Sequence, residues 1–166
     1  IVRDPSIHQR AMTQWSTYLP SIAQGDRVPS ALVPELSRRA RGVPVWAMLR
    51  MLGKAGVAEM VERHCALAVR FAERLANEPG VRVLNDVVLN QVIVSFGVGD
   101  TGARKAATEA VIARVQKDGV LFAGGAAWRG DWVMRLSVSS YATTEDDVDR
   151  SADAVISAWR AVRDGA

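Results

Sequence analysis

The stretch VRVLNDVVLNQVIVSFGVGDTGARKAATEAVIARVQKDGVLFAGGAAWRGDWVMRLSVSS, residues 81–140, decides the fold. Val81 to Leu84 is a short β-branched run. In Gln91 to Val98 the residues Val92, Val94 and Phe96 share one face, because strand side chains alternate. Thr101 to Asp118 reads as a helix stopped by Gly119. Val120 to Ala123 and Trp132 to Ser139 read as two further strands, joined through Gly124-Gly125 and Arg129-Gly130-Asp131. In the last strand Trp132, Met134, Leu136 and Val138 form an apolar face, and Val133, Arg135, Ser137 and Ser139 form the other. A final helix follows with Thr143 as its N-cap. Glu145, Asp146 and Asp147 lie at the positive end of its dipole. Its apolar stripe is Val148, Val155, Ile156 and Trp159. The order strand, strand, helix, strand, strand, helix predicts a small α+β module, a mostly antiparallel sheet with helices on one face.

Upstream, Val57 to Asn77 reads as an amphipathic helix with Val57, Met60, Val61, His64, Leu67, Ala68, Phe71 and Leu75 at helical spacing. Pro79-Gly80 ends it. Val43 to Leu52 reads as another helix, separated by Gly53 and Gly56. Trp46 and Trp159 read as core. The segment from Thr13 to Pro34 has the composition of a long loop, and loops of that length are often functional. Residues 6–12 suggest a helical turn or two, and Ile1 to Arg3 the tail of a strand.

The chain has 166 residues, 49% of them hydrophobic and 23% charged, with net charge +3 and a pI near 9.5. That is globular composition. The basic residues alternate with acidic ones, which argues for a mixed solvated surface and against a nucleic-acid footprint. One cysteine, Cys65, permits no internal disulfide and fits a reducing compartment such as the cytoplasm. No apolar run approaches the ~20 residues of a membrane helix. No signal-peptide pattern opens the chain. It begins at Ile1 rather than methionine, from which we expect a segment upstream to have been removed.

Several residues are candidates for chemistry. Arg135, mid-strand on a half-polar face, needs an anionic ligand, a local carboxylate or water. Tyr18, beside Trp15 in the Pro-rich loop, either caps a site, docks on a partner or packs on its own domain. Arg38, Arg39 and Arg41 either meet phosphate or a partner, or are solvated. Ser37 is a possible helix cap. His64 and Cys65 are adjacent on a helix and point about 100° apart, a poor metal pair, and no metal site is expected. No phosphate-loop glycine pattern occurs.

Four segments in order resemble the group II pyridoxal-phosphate decarboxylases, among them the aromatic-amino-acid, histidine and glutamate enzymes. They are Leu36 to Trp46, Gly56 to Cys65, Leu89 to Val94, and Val133 to Ser139 followed by Thr143 to Val148. The resemblance implies an aspartate-aminotransferase-like fold, of which this chain supplies the C-terminal part. Residues 1–42 would be the end of the large domain and the active-site loop, 43–79 connecting helices, and 80–166 the small C-terminal domain. It implies a carbon–carbon lyase with pyridoxal 5'-phosphate as cofactor, an amino-acid substrate and a homodimer. The cofactor's ring would take the electron pair released at the substrate's Cα.

Tyr18 resembles the loop tyrosine that protonates the carbon that loses CO2. Arg135 resembles the arginine that contacts the substrate α-carboxylate. Leu36 and Ser37 resemble the turn that approaches the cofactor phosphate of the neighbouring subunit. The family's imine-forming lysine follows a histidine. Lys54, Lys105 and Lys117 do not. The resemblance therefore implies that this chain alone is inactive and works with an upstream cofactor-binding polypeptide or domain. Two other readings stay open at this point: a non-catalytic α+β binding module, or part of an aminotransferase of the same fold.

Overall fold

The computed structural model describes residues 2–13, 32–33 and 39–165. The chain divides into two compact units, Ile1–Met51 and Leu52–Ala166. In the first, helix α1 (Pro5–Met12) starts where Asp4 accepts hydrogen bonds from the backbone and hydroxyl of Ser6, both at 2.8 Å. Proline at the first helical position suits that start. Val2 and Arg3, expected as a strand tail, lie in no strand among the described residues.

Helix α2 runs over Gly42–Ala76. The expected break falls at Gly53, whose φ of 61° and ψ of −172° are not helical. Gly56 does not interrupt it. The part before Gly53 leaves Val43, Val45, Trp46, Leu49 and Met51 exposed. Trp46 is thus not core: it is 64% exposed, with the Arg50 guanidinium 6.0 Å from its ring centre. Helical spacing marks an apolar stripe but does not say what covers it.

The second unit holds β1 (Val81–Val83), β2 (Gln91–Phe96), α3 (Thr101–Asp118), β3 (Gly124–Trp128), β4 (Asp131–Ser137) and α4 (Glu145–Arg163). The strands form one antiparallel sheet in the order β1-β2-β4-β3. This is the α+β module that the strand order predicts. Val92, Val94, Phe96, Met134 and Leu136 are buried on its inner face. With them pack Leu67, Phe71 and Leu75 of α2, Val111 and Val115 of α3, and Val148, Val155 and Trp159 of α4. Val133, on the opposite alternation, is buried as well.

The strands expected over Val81–Leu84, Gln91–Val98 and Trp132–Ser139 end one or two residues early, at Val83, Phe96 and Ser137, and two further differences are larger or have a clear cause. Residues 120–123 form no strand, and β3 begins at the glycine pair instead. The reason lies at the other end of the hairpin. Arg129 (φ 49°) and Gly130 (φ 86°) form a two-residue turn with both residues left-handed, the geometry that matches strand twist. Counting back from that turn pairs Gly125 with Met134 and Gly124 with Arg135. A Cβ on Gly125 would lie 2.6 Å from the Trp132 indole. The glycine therefore lies in a strand because a neighbour's ring fills its place. The cap of α4 is Thr144, one residue later than expected. Its side chain and that of Asp147 form a reciprocal capping box, and these bonds with Arg150 hold the Asp147 carboxyl down at about 2.

A row of ion pairs ties α4 to α2. Arg70 grips Asp149 with two bonds of 2.8 Å and meets Glu145 at 3.0 Å. Arg74 pairs with Asp153. Just past α2, the buried Glu78 accepts from Arg160 at 3.0 and 2.6 Å and lies 3.5 Å from Arg163. The Arg160 hydrogen bonds hold the Glu78 carboxyl below its ordinary range, against the opposing effect of burial. A carboxylate with a lowered folded pKa contributes stability above its unfolded value and loses it as pH falls through the folded one. Stability should therefore drop as acid passes below the ordinary glutamate range. Glu78→Gln should flatten that limb in urea melts taken across pH; an unchanged slope would rule out Glu78 as a source.

Candidate functional site

The sheet has a helix-covered face and an open one. On the open face Arg135 of β4 lies between Ile93 of β2 and Gly124 of β3. Ile93 offers an apolar wall. Gly124 offers nothing, and even a Cβ there would meet no atom within 4 Å. Arg135 is exposed, and among the described residues its guanidinium has no hydrogen bond or ion pair. A guanidinium with a clear flank and no carboxylate partner is free to take an anion from solution.

One row along the same face lies Arg82 of β1, opposite Ser95 of β2. Its Nη2 donates to Ser95 Oγ at 3.1 Å, and Ser95 is fully buried. Arg82 also lacks a carboxylate partner among the described residues. Sequence reading missed it. The signal was its place between Val81 and Val83, which turns its side chain away from the core.

Several other charged groups of this unit serve structure. Arg104 joins Asp131 at 2.7 Å and the Gly99 carbonyl at 2.6 Å, tying the start of α3 to the hairpin. His64 is buried, with Nε2 3.0 Å from the Ser140 carbonyl, while Arg63 donates to the Tyr141 carbonyl at 2.7 Å. These two bonds pin the loop between β4 and α4. Cys65 is partly buried.

Tyr18, Leu36, Ser37, Arg38 and Trp15 lie outside the described residues. Arg39 and Arg41 are exposed. Among the described residues no three His, Cys, Asp or Glu side chains cluster as a metal site. No helix among them is long and apolar enough to cross a membrane. Lys54, Lys105 and Lys117 are exposed, and Lys105 is engaged by the Trp132 ring at 5.8 Å and Glu109 at 3.9 Å. A lysine that forms an imine at neutral pH must be sheltered enough to lose its proton. The described residues thus do not by themselves fit a covalently held pyridoxal phosphate.

No family model matches the chain. It is similar to histidine decarboxylase of Homo sapiens, 28% identical over 131 residues, covering 79% of this chain and 18% of that protein. It is 27% identical over 115 residues to tyrosine decarboxylase 2 of Arabidopsis thaliana, covering 68% of this chain and 21% of that protein. The probable L-aspartate decarboxylase of Thermococcus gammatolerans is 38% identical over 73 residues, covering 44% of this chain and 18% of that protein. The chain thus spans about a fifth of the length of these relatives.

Among solved structures, mouse CSAD superposes with a TM-score of 0.70 at 14% identity, over 93% of this chain and 34% of that one. Catharanthus roseus tryptophan decarboxylase in complex with L-tryptophan gives 0.69 at 19% identity, over 93% and 33%. At such identities the likeness concerns the fold. The Oryza sativa enzyme TDC, at a TM-score of 0.68 and 19% identity over 76% of this chain and 28% of that one, was solved with pyridoxal phosphate and tryptamine.

Proposed function

We infer, from the premise that this chain is homologous to the C-terminal portion of the group II pyridoxal-phosphate-dependent amino-acid decarboxylases, that it is part of an enzyme releasing CO2 from an amino acid. The observation that carries the reading is Arg135: an exposed guanidinium on the open sheet face, with no carboxylate of its own among the described residues. In this reading residues 80–166 are the small domain of an aspartate-aminotransferase-like fold. Residues 43–79 are its connecting helices, and 1–42 the end of the large domain with the active-site loop. An upstream polypeptide or domain binds pyridoxal phosphate and supplies the lysine. The assembly is a cytoplasmic homodimer, with Leu36 and Ser37 near the cofactor phosphate of the neighbouring subunit.

Arg135 binds the substrate α-carboxylate and orients it. That group loses its charge on the way to CO2, so a tight ion pair would hold the ground state more than the transition state. An exposed arginine pairs weakly in a high dielectric. This suits positioning better than strong binding. Tyr18 supplies the proton to the carbon that loses CO2. A phenolic hydroxyl carries the proton that such a donor must give.

The complete polypeptide, loaded with pyridoxal phosphate, should release CO2 from one or more L-amino acids in a panel that includes acidic and aromatic members. Amino-group transfer to a keto acid without CO2 release would assign it to the aminotransferases instead. Neither reaction, together with no uptake of the cofactor, would leave a binding module.

A further inference from the structure

The two edges of the sheet are finished differently. The β1 edge is three residues long, and the Val81 N–H donates to the Glu78 carbonyl at 3.1 Å. The β3 edge is Gly-Gly-Ala-Ala-Trp over Gly124–Trp128. It carries neither a charge nor a proline, the devices that guard an edge against pairing with another chain.

The hairpin decides which β3 groups face outward. Its two-residue turn is closed by Trp128 and Asp131, a pair that exchanges both backbone hydrogen bonds. Bonded and non-bonded pairs alternate, so Ala126 and Gly124 also bond towards β4. Gly125 and Ala127 turn their N–H and C=O away from it. Both are exposed, although they lie on the helix-covered face. The next residue of that set, Ala123, has its carbonyl taken by Gln116 Nε2 at 2.7 Å. The free edge is thus bounded, and no strand among the described residues pairs with it.

Such an edge matches itself. In an antiparallel pairing about a two-fold axis at Ala126, Gly125 of each copy faces Ala127 of the other, and each pair exchanges both bonds. Ala126 meets its own counterpart through methyl groups. Trp128 falls opposite Gly124 of the second copy. A Cβ at Gly124 would meet no atom within 4 Å, so the indole has room there. Other centres fit worse. An axis at Gly125 sets Ala127 against Ala123, whose carbonyl is taken. An axis at Ala127 sets Gly125 against Arg129, which lies in the turn.

We propose that β3 is a docking edge for a second copy of this chain, and that two four-stranded sheets join across it into one continuous sheet. The contact involves neither Leu36 nor Ser37 and stands independently of the proposed function. Five residues a side make a small interface beside the ~1,200–2,000 Å² of stable complexes. The chain alone should therefore pair weakly, with a Kd on the order of 0.1–1 mM.

The test uses the 166-residue chain, labelled with 15N and followed from about 0.05 to 1 mM. The Gly125 and Ala127 amides should shift with concentration and exchange more slowly with solvent. Ala127→Pro removes an outward N–H and leaves the bonds to β4, so it should abolish the response at Gly125. Gly124→Val fills the place opposite Trp128 and should raise the Kd about tenfold. Cross-linking checks the register after replacement of the one cysteine by Cys65→Ala. Ala126→Cys should then form a disulfide-linked dimer, because residues facing each other in a non-bonded pair have Cα atoms ~4.5 Å apart. Ala127→Cys should not, since its counterpart lies ~7–8 Å away on the diagonal. Association that leaves the Gly125 and Ala127 amides unshifted belongs to another surface and overturns the proposal. So does protection of these amides that does not vary with concentration, which would mean that the chain covers its own edge. Equal cross-linking at the two positions, or none at Ala126→Cys, overturns it even where Ala127→Pro fails to fold.

Discussion

Phe96→Ala should destabilise the second unit by about 3–5 kcal/mol, the usual loss for a buried aromatic truncated in a core. Phe96 has no exposed surface, and its ring centre lies 5.8 Å from that of Trp159. Removing it empties the contact between the end of β2 and α4. Trp159 is otherwise held by its Nε1 bond to the Pro79 carbonyl at 2.8 Å, so it cannot swing in freely to fill the space. Total stabilities are typically 5–15 kcal/mol, so the variant should sit close to its unfolding threshold. A Tm fall on the order of 10–20 °C should accompany it. Urea melts read by tryptophan fluorescence measure the first quantity. Phe122→Ala is the control: that side chain is 84% exposed, and its loss should move stability by no more than about 0.5 kcal/mol. Similar losses in the two variants would mean that the burial assigned to Phe96 is wrong.

Arg135→Gln, made in the complete polypeptide, should lower kcat/KM by about 100-fold, equivalent to ~2.7 kcal/mol of transition-state stabilisation. If Arg135 orients the carboxylate, kcat should carry most of the loss. If it only holds the substrate, KM should carry it. The substitution keeps length and polarity and removes the charge, so the fold should not change. The wild-type side chain has no protein partner among the described residues to leave stranded. Stability melts of the variant should match those of the parent. An unchanged kcat/KM would end the assignment of Arg135 to the substrate.

The parts of this chain that were legible beforehand are those where local signals agree with each other. Thr101 to Asp118 is one: a side chain at Asp100 caps it, and Gly119 at φ 70° ends it. Gln91 to Phe96 is another, with Val92, Val94 and Phe96 fully buried on one face. The misread strand shows the limit. Val120 to Ala123 is more β-like in composition than Gly124 to Ala127. The register imposed by the Arg129-Gly130 turn, and a ring from the adjacent strand, override that preference. Trp46 fails differently, because burial depends on a partner surface that a periodic pattern does not identify. The site divides along the same line. Arg135 stood out by alternation within one strand. Arg82 becomes relevant only once β1 is known to pair with β2, a long-range fact that no local pattern contains.

The ion pairs between α2 and α4 contain an ambiguity. Arg70 and Arg74 face Glu145, Asp149 and Asp153, so cations and anions both repeat every four residues. Sliding α4 by one helical turn, about 5.4 Å, in the direction that brings Glu145 to Arg70 and Asp149 to Arg74, would still leave each arginine opposite an acid. Such a ladder works like a ruler with identical marks: it measures direction but not position. The mark that differs is at the far end. Arg160 meets Glu78 across a sequence separation of 82 residues rather than the 79 of the two pairs before it, and Trp159 bonds Pro79 beside it. That clasp has no equivalent one turn away. Among the polar contacts, the information that sets α4's alignment is therefore concentrated in Glu78, Pro79, Trp159 and Arg160, beside the buried Val148, Ala152 and Val155, and the longer row of charges adds cohesion.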